Sequence, residues 1–391
     1  MMTPDPAKPS FSQSLGVLAR DPLNFLLPAI VVAAALEPTD VSDLWVFIAS
    51  AVAIVPLAGL MGRSTESLAA TLGPSLGGLL NATFGNAAEM IIAMMALTRG
   101  PEMYPLVKAS ITGSIIGNIL LVLGAAMLVG GVRRDRQHFN RNASSSAATL
   151  LMLACVGLTI PTLHYYLYRS GRPPAAAAMH EIELLSEEIA AILALVYFLS
   201  LLFSLVTHRD CFRPANSQDP AVAAPREEHQ PELTNAAALF ALLMSTLGVT
   251  WMSHLLVGSV EPAADSIGMN HIFVGVIVVA IIGNAAEHST AIVAAWKNDM
   301  DLAVSIATGS STQVALLIVP VLVMFSAVLG LSPTLDLHFT PLEIVSLLLS
   351  VIVLPLVCLD GESNWMEGVM LLAVYAIIAL AFFHLPETAM P

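Results

Sequence analysis

The sequence predicts an all-α polytopic membrane protein of about 11 transmembrane helices, one N-terminal helix followed by two inverted-topology five-helix repeats. Three observations carry that prediction. Of the 391 residues, 57% are hydrophobic and only 11% charged, a balance foreign to water-soluble globular chains. Apolar runs long enough to cross a hydrocarbon core of about 30 Å, which takes about 20 helical residues, recur along the whole length. One pentapeptide, GNAAE, stands at 85–89 and again at 283–287, each time inside such a run. Only helices or closed barrels satisfy their backbone in lipid, and these runs are too long and too uniformly apolar for barrel strands.

The spans centre near Ile30, Ala51, Phe84, Ile116, Val156, Leu195, Leu243, Val279, Ala315, Val351 and Ile377. The first, Leu23 to Leu36, is short, interrupted by Pro28 and followed by Glu37, which reads as a tilted or shallow span rather than a signal peptide. The third and eighth spans hold the two GNAAE copies, and the fourth and ninth hold TGSIIGN and TGSSTQV. The longest polar, proline-containing break runs from Thr207 to Leu233 and separates two groups of five spans. The expected organisation is therefore an N-terminal tail and first span over 1–40, a first repeat over 41–207, a cytoplasmic linker over 208–233 and a second repeat over 234–391.

With the N-terminus inside, most basic residues, among them Arg63, Arg133, Arg134, Arg136, Arg141, Arg209, Arg213 and Lys297, fall in cytoplasmic loops. Only Arg99, Lys108, Arg169 and Arg172 fall on the other side, the bias that the positive-inside rule requires. The chain is expected in lipid, in a prokaryotic inner membrane. The formal net charge of -14 resides largely in loops such as 181–188 and 226–232, read as solvated, and no nucleic-acid partner is expected. Cys155, Cys211 and Cys358 lack metal spacing and imply no disulfide framework. The sequence does not fix the oligomeric state.

Glu89 lies in the third span and Glu287 in the eighth, five crossings later. An odd number of crossings sets the two copies in opposite directions through the bilayer, the mark of an inverted repeat with a midplane site. No charged residue stands between Glu66 and Glu89, or between Asp265 and Glu287. An unpaired acid at the bilayer centre costs about 3 kcal/mol or more, so protons or a metal ion must share the site. One divalent cation neutralises two carboxylates, as do two protons, and competition between those loads is the physical basis of antiport. Asn86 and Asn284 precede their glutamates by three residues, on the same helical face, where amide oxygens suit a hard cation. Gly85 and Gly283, with Gly113 and Gly309 on the partner spans, are expected to permit helix breaks or close helix approach. Calcium, with six to eight oxygens in irregular geometry, fits better than octahedral magnesium. The lack of clustered cysteine or histidine argues against a soft metal.

The segments GGLLNATFGNAAEMIIAMMAL, KASITGSIIGNILLVLG and GNAAEHSTAIVAAWKNDMDLAVSIATGSSTQVALLIVPVLV strongly resemble the cation/proton exchanger branch of the calcium/cation antiporter superfamily, most of all its prokaryotic calcium/proton members. The resemblance implies exchange of cytosolic calcium for protons at Glu89 and Glu287, alternating access by a helix pair sliding against a fixed bundle, and no catalytic residue. It also implies that Asn86, Ser114, Asn118, Asn284, Ser310 and Gln313 line the path. Sodium/calcium exchangers of the superfamily carry a serine- and proline-containing motif before the acid that is absent here, which favours protons as the counter-ion; selectivity among calcium, sodium, potassium and manganese stays open.

His288 has Met90 as its counterpart in the first half, so it is either a tuner of Glu287 or a hydrogen-bonded core histidine. Asp299 and Asp301 read as caps of the ninth span, and Lys108 and Trp296 as interfacial anchors. The competing classes are a sodium or potassium exchanger of the same fold, a cation channel, and an intramembrane metal hydrolase using Glu287 with His288 or His180. The hydrolase lacks a second histidine at zinc spacing. No resident cofactor is expected, with Ca2+ as the transported substrate.

Overall fold

The structure is a computed structural model describing residues 10–19, 22–39, 42–170, 175–208 and 233–385. Most of the expected linker, with Cys211, Arg209 and Arg213, lies outside the described residues, as do Arg172 and the extreme N-terminus. Helix α1 (Phe11–Ala19) precedes the first expected span and α2 (Pro28–Leu36) occupies most of it, with Pro28 in the first turn of α2, where its missing N–H is harmless. They are followed by α3 (Asp43–Leu72), α4 (Pro74–Phe84), α5 (Ala87–Leu97), α6 (Tyr104–Ile116), α7 (Leu123–Gly131), α8 (Arg141–Ser170) and α9 (Ala175–Leu202). The second half comprises α10 (Asn235–Ser266), α11 (His271–Phe273), α12 (Ala280–Trp296), α13 (Met300–Gln313), α14 (Val319–Val328), α15 (Pro341–Val357) and α16 (Trp365–Phe383).

Eight helical stretches among the described residues are long and apolar enough to cross a membrane. The shorter α2, α5 and α15 stand where the remaining expected spans fall. Many large apolar side chains point outward, including Leu195, Phe198, Leu243, Leu356 and Ile377, each more than half exposed. A second apolar population, such as Ile116, Leu120, Met127, Leu316 and Leu322, is fully buried. Apolar outside as well as inside is the arrangement of a bundle solvated by lipid.

The long helices α3 and α10 pack against each other, while α6 and α12 lie alongside the site described below. Wide turns of π-helix join α6 to α7 over Gly117–Val122 and α13 to α14 over Val314–Ile318, and another precedes α12 over Val274–Val279. The first two fall at nearly matching places in the two halves, starting three residues after Ser114 and four after Ser310. Such wide turns are rare and gather at functional sites. Among the described residues one small sheet pairs β1 (Gln137–His138) with β2 (Glu362–Ser363), antiparallel, between the α7–α8 and α15–α16 connections.

Of the four glycines expected to break helices, one does so. The third span is interrupted at Gly85 and Asn86, and α5 restarts with Asn86 as its N-cap. Gly283, Gly113 and Gly309 lie inside continuous helix, which corrects the expectation for them. Close approach explains two of these. A Cβ on Gly113 would stand 2.0 Å from the Val276 carbonyl oxygen, and one on Gly283 would stand 3.1 Å from Glu89 Cγ. Their hydrogens leave room for a neighbouring backbone and for the carboxylate rather than freeing a carbonyl.

Candidate cation-binding site

The break at Gly85 sets Glu89 in the first turn of α5, at a helix N-terminus whose partial positive charge suits a carboxylate. From the other half, α12 brings Asn284, Glu287 and His288 to the same place, α6 and the wide turn after it supply Ser114 and Asn118, and α13 supplies Ser310 and Gln313. Every ion-site residue expected from the sequence is therefore gathered in one buried cluster. Asn86, Asn284, Ser114, Asn118 and Ser310 are all buried.

Two contacts repeat across the halves. Asn284 Nδ2 donates to Ser114 Oγ at 3.1 Å, and Ser310 Oγ donates to Asn86 Oδ1 at 2.8 Å. Each asparagine thus meets the serine of the opposite half, as a pseudo-twofold arrangement requires. Glu89 Oε1 accepts hydrogen bonds from both Ser114 Oγ and Asn284 Nδ2. The Ser310 hydroxyl lies beside Glu287, and the charge of Glu89 bears on that carboxylate as well.

Other contacts break the symmetry. Asn86 Nδ2 donates to Gln313 Oε1 at 2.6 Å, Asn118 Nδ2 donates to Ser310 Oγ at 2.9 Å, and His288 Nε2 lies 3.2 Å from Asn118 Oδ1. Gln313 and Asn118 do not correspond in the two motifs, where Gly117 and Val314 take their places. His288 is hydrogen-bonded within the cluster, one of the two roles left open for it.

Three oxygens define what the cluster can do. Glu89 Oε2, Glu287 Oε2 and Asn284 Oδ1 are buried and accept no hydrogen bond from the protein. Two carboxylate oxygens and one amide oxygen, with serine hydroxyls close by, form a hard donor set suited to Ca2+ or to protons. No group of three or more His, Cys, Asp or Glu side chains able to hold a metal occurs among the described residues. The donor set accordingly mixes two acids with neutral oxygens. A cavity of about 20 Å³ adjoins Glu89, lined by Ser110, Ser114, Gly283, Ile92, Ile111 and Val314. That is room for about one water-sized particle.

Two minor assignments change. Lys108, expected at the interface, is largely buried and paired with Asp336 at 2.6 Å. Its partner lies far along the chain, so no local signal revealed it. Asp299 caps α13 by accepting from Leu302 N at 3.2 Å, as expected, whereas Asp301 accepts from Asn140 N at 2.5 Å and ties α13 to the start of α8. Trp296 is half-exposed, with the Arg133 guanidinium 3.8 Å above its ring. Sequence reading also missed Glu343, although Thr340 and Glu343 form a capping box whose spacing is visible in the chain.

Fold and relatives define a polytopic helical ion transporter rather than an enzyme. The family model for the sodium/calcium exchanger protein matches residues 42–206 and 237–384, and the chain belongs to that family. Its sequence is 44% identical over 353 residues to a Ca(2+)/H(+) antiporter of Synechocystis sp., covering 87% of this chain and 91% of that one. It is 42% identical over 335 residues to the Ca(2+)/H(+) antiporter ChaA of Bacillus subtilis, covering 85% and 90%. Among solved structures, native YfkE superposes with a TM-score of 0.76 at 36% identity, covering 93% of this chain and 100% of that one. An H+/Ca2+ exchanger, CAX, shares the fold with a TM-score of 0.68 at 14% identity, covering 96% and 93%.

Proposed function

We propose that the chain exchanges Ca2+ for protons by alternating access at the site built on Glu89 and Glu287. The observation that carries the reading is the trio of buried oxygens, Glu89 Oε2, Glu287 Oε2 and Asn284 Oδ1, contributed by helices of both halves and left without a hydrogen-bond donor. When Ca2+ binds, the two carboxylates neutralise it, and Asn284 and the serines supply further oxygens. When the ion leaves, each carboxylate takes a proton, because two charges held this deep without a cation are costly. One site thus carries either load, and the exchange is obligatory. The names of two relatives, each a Ca(2+)/H(+) antiporter, support the same reading.

The division into repeats over 41–207 and 234–391, with the N-terminus and the 208–233 linker in the cytoplasm, belongs to this proposal. In that orientation calcium enters the site from the cytosol and protons enter from outside, with the chain in a prokaryotic inner membrane. The cross-half pairing of Asn284 with Ser114 and of Asn86 with Ser310 supports the repeat division.

The test is calcium uptake into proteoliposomes under an imposed pH gradient, with sodium and potassium gradients as controls. Uptake that needs the pH gradient and is lost in Glu89→Gln and in Glu287→Gln is expected. Uptake driven only by sodium or potassium would overturn the counter-ion, and native uptake in both variants would overturn the site.

A further inference from the structure

The second half of the connection between α14 and α15, residues 335–340, is buried, unlike an ordinary surface loop. Leu335, Asp336, Leu337, His338, Phe339 and Thr340 are each less than a tenth exposed. Side chains of three helices hold the backbone of the connection. Leu337 N donates to Ser186 Oγ of α9 at 2.9 Å, Phe339 N to Thr162 Oγ1 of α8 at 2.9 Å, and Tyr104 of α6 donates its hydroxyl to Pro333 O at 2.7 Å. One tie is charged. Lys108 Nζ of α6 donates to Asp336 Oδ1 at 2.6 Å and to His338 O at 2.9 Å, while Asp336 Oδ1 also accepts from His338 N at 2.7 Å.

Helical geometry relates this lock to the ion site. At 3.6 residues per turn, Lys108 and Thr112 share one face of α6, Ser110 and Ser114 lie on another, and Asn118 follows in the wide turn Gly117–Val122 that continues the helix. Thr112 Oγ1 stands 3.2 Å from Glu343 Oε1, so the lock face also meets the first turn of α15. On the other face, Ser114 donates to Glu89, and beyond it Asn118 bridges Ser310 and His288. The helix is gripped on another face at a charged point, about two turns before Ser114 and about three before Asn118.

We propose that Lys108 is a positioning residue for ion binding: its ties to Asp336 and the His338 carbonyl hold α6 at the rotation where Ser114 and Asn118 meet their partners in the opposite half. The inference rests on the reading of the Glu89 and Glu287 cluster as the calcium site. A pair that only helped folding would behave differently from one that sets this rotation. Removing one partner of a buried ion pair strands a charge, whereas removing both is often nearly neutral for stability. Stability and positioning can therefore be separated.

The experiment uses the full chain, purified, with calcium binding measured by equilibrium uptake of radioactive calcium and folding measured by thermal unfolding. The double variant Lys108→Met with Asp336→Asn is expected to unfold close to the native temperature yet to bind calcium at least ten-fold more weakly, at unchanged stoichiometry. Lys108→Arg keeps a charged donor toward Asp336 and the His338 carbonyl and is expected to bind within three-fold of native. Lys108→Met alone strands Asp336 and is expected to lose stability as well; should it fail to fold, the other two variants still decide. A double variant with native calcium affinity would overturn the positioning role. Native protein that binds no calcium would overturn instead the reading of the site itself, a separate outcome.

Discussion

Asn284 and Asn86 occupy equivalent places in the two motifs, but the structure predicts unequal consequences for their loss. Asn284 Nδ2 donates to the carboxylate of Glu89, to Ser114 Oγ at 3.1 Å and to Ala280 O at 3.0 Å, and its Oδ1 is one of the three buried oxygens without a donor. Asn86 is bonded at both amide atoms, to Gln313 and Ser310, which are neutral. A hydrogen bond to a charged group contributes about 1.5–3 kcal/mol and one between neutral groups about 0.5–1.5 kcal/mol. Asn284→Ala removes a charged bond and a candidate ligand, and both losses weaken calcium against protons. Its apparent calcium KM is expected to rise by about 10- to 150-fold, and that of Asn86→Ala by about 2- to 12-fold. Initial rates of calcium uptake into proteoliposomes, taken across calcium concentration at one fixed pH gradient, provide the values. Equal shifts in the two variants, or an Asn284→Ala value within two-fold of native, would refute the assignment of the free oxygen as a ligand.

Gly113→Ala would place a Cβ 2.0 Å from Val276 O, a backbone atom that cannot swing aside, so thermal unfolding in detergent should show a loss of about 1–3 kcal/mol or more. Gly309→Ala meets nothing within 4 Å and should be neutral or slightly stabilising in the same assay. Thr162→Val leaves the buried N–H of Phe339 without its acceptor, now at 2.9 Å, and should cost about 1–3 kcal/mol of stability. Burial, helped by Lys108 and opposed by Asp336, holds the His338 imidazole below its ordinary value. The folded chain then binds fewer protons there than the unfolded chain, so this contribution to stability is lost as pH falls below about 6.5. Unfolding temperature should decline between pH 7 and 5, and less steeply in His338→Gln.

Local pattern and distant pairing were unequally legible in the chain. Hydropathy located the spans because lipid-facing and core-facing positions are both apolar, as Leu195 and Leu316 illustrate. The duplicated motif pointed to the cluster that the structure assembles, because each half places its own acid at one shared centre. Backbone form was harder to read. The same five residues break the third span at Gly85 and run on as continuous helix at Gly283. Their flanks differ: Asn81, Ala82, Thr83 and Phe84 precede the first copy, whereas the second follows a β-branched run ending in a wide turn at Val279. At Gly283 the missing side chain accommodates Glu89, a contact with the other half that no local window contains. Lys108 misled for a similar reason. A lone lysine near a helix end resembles an interfacial anchor until Asp336, in the other half, is brought against it.

The placement of that lysine bears on how the site keeps its demand for a cation. The hydrogen-bond partners recorded around Glu89 are serine and asparagine, and those linking onward are glutamine, asparagine, serine and histidine. Each orients an oxygen or stabilises a charge without cancelling it. A lysine among them would form a permanent ion pair and leave neither proton nor metal anything to neutralise. On α6 the buried ammonium of Lys108 points from a different face than Ser114, where Asp336 occupies it. The helix can therefore carry a fixed charge for structure and still present only neutral donors to Glu89. The proposed exchange depends on that separation, because a carboxylate pair whose charge is settled by the protein has no reason to release one ion for another.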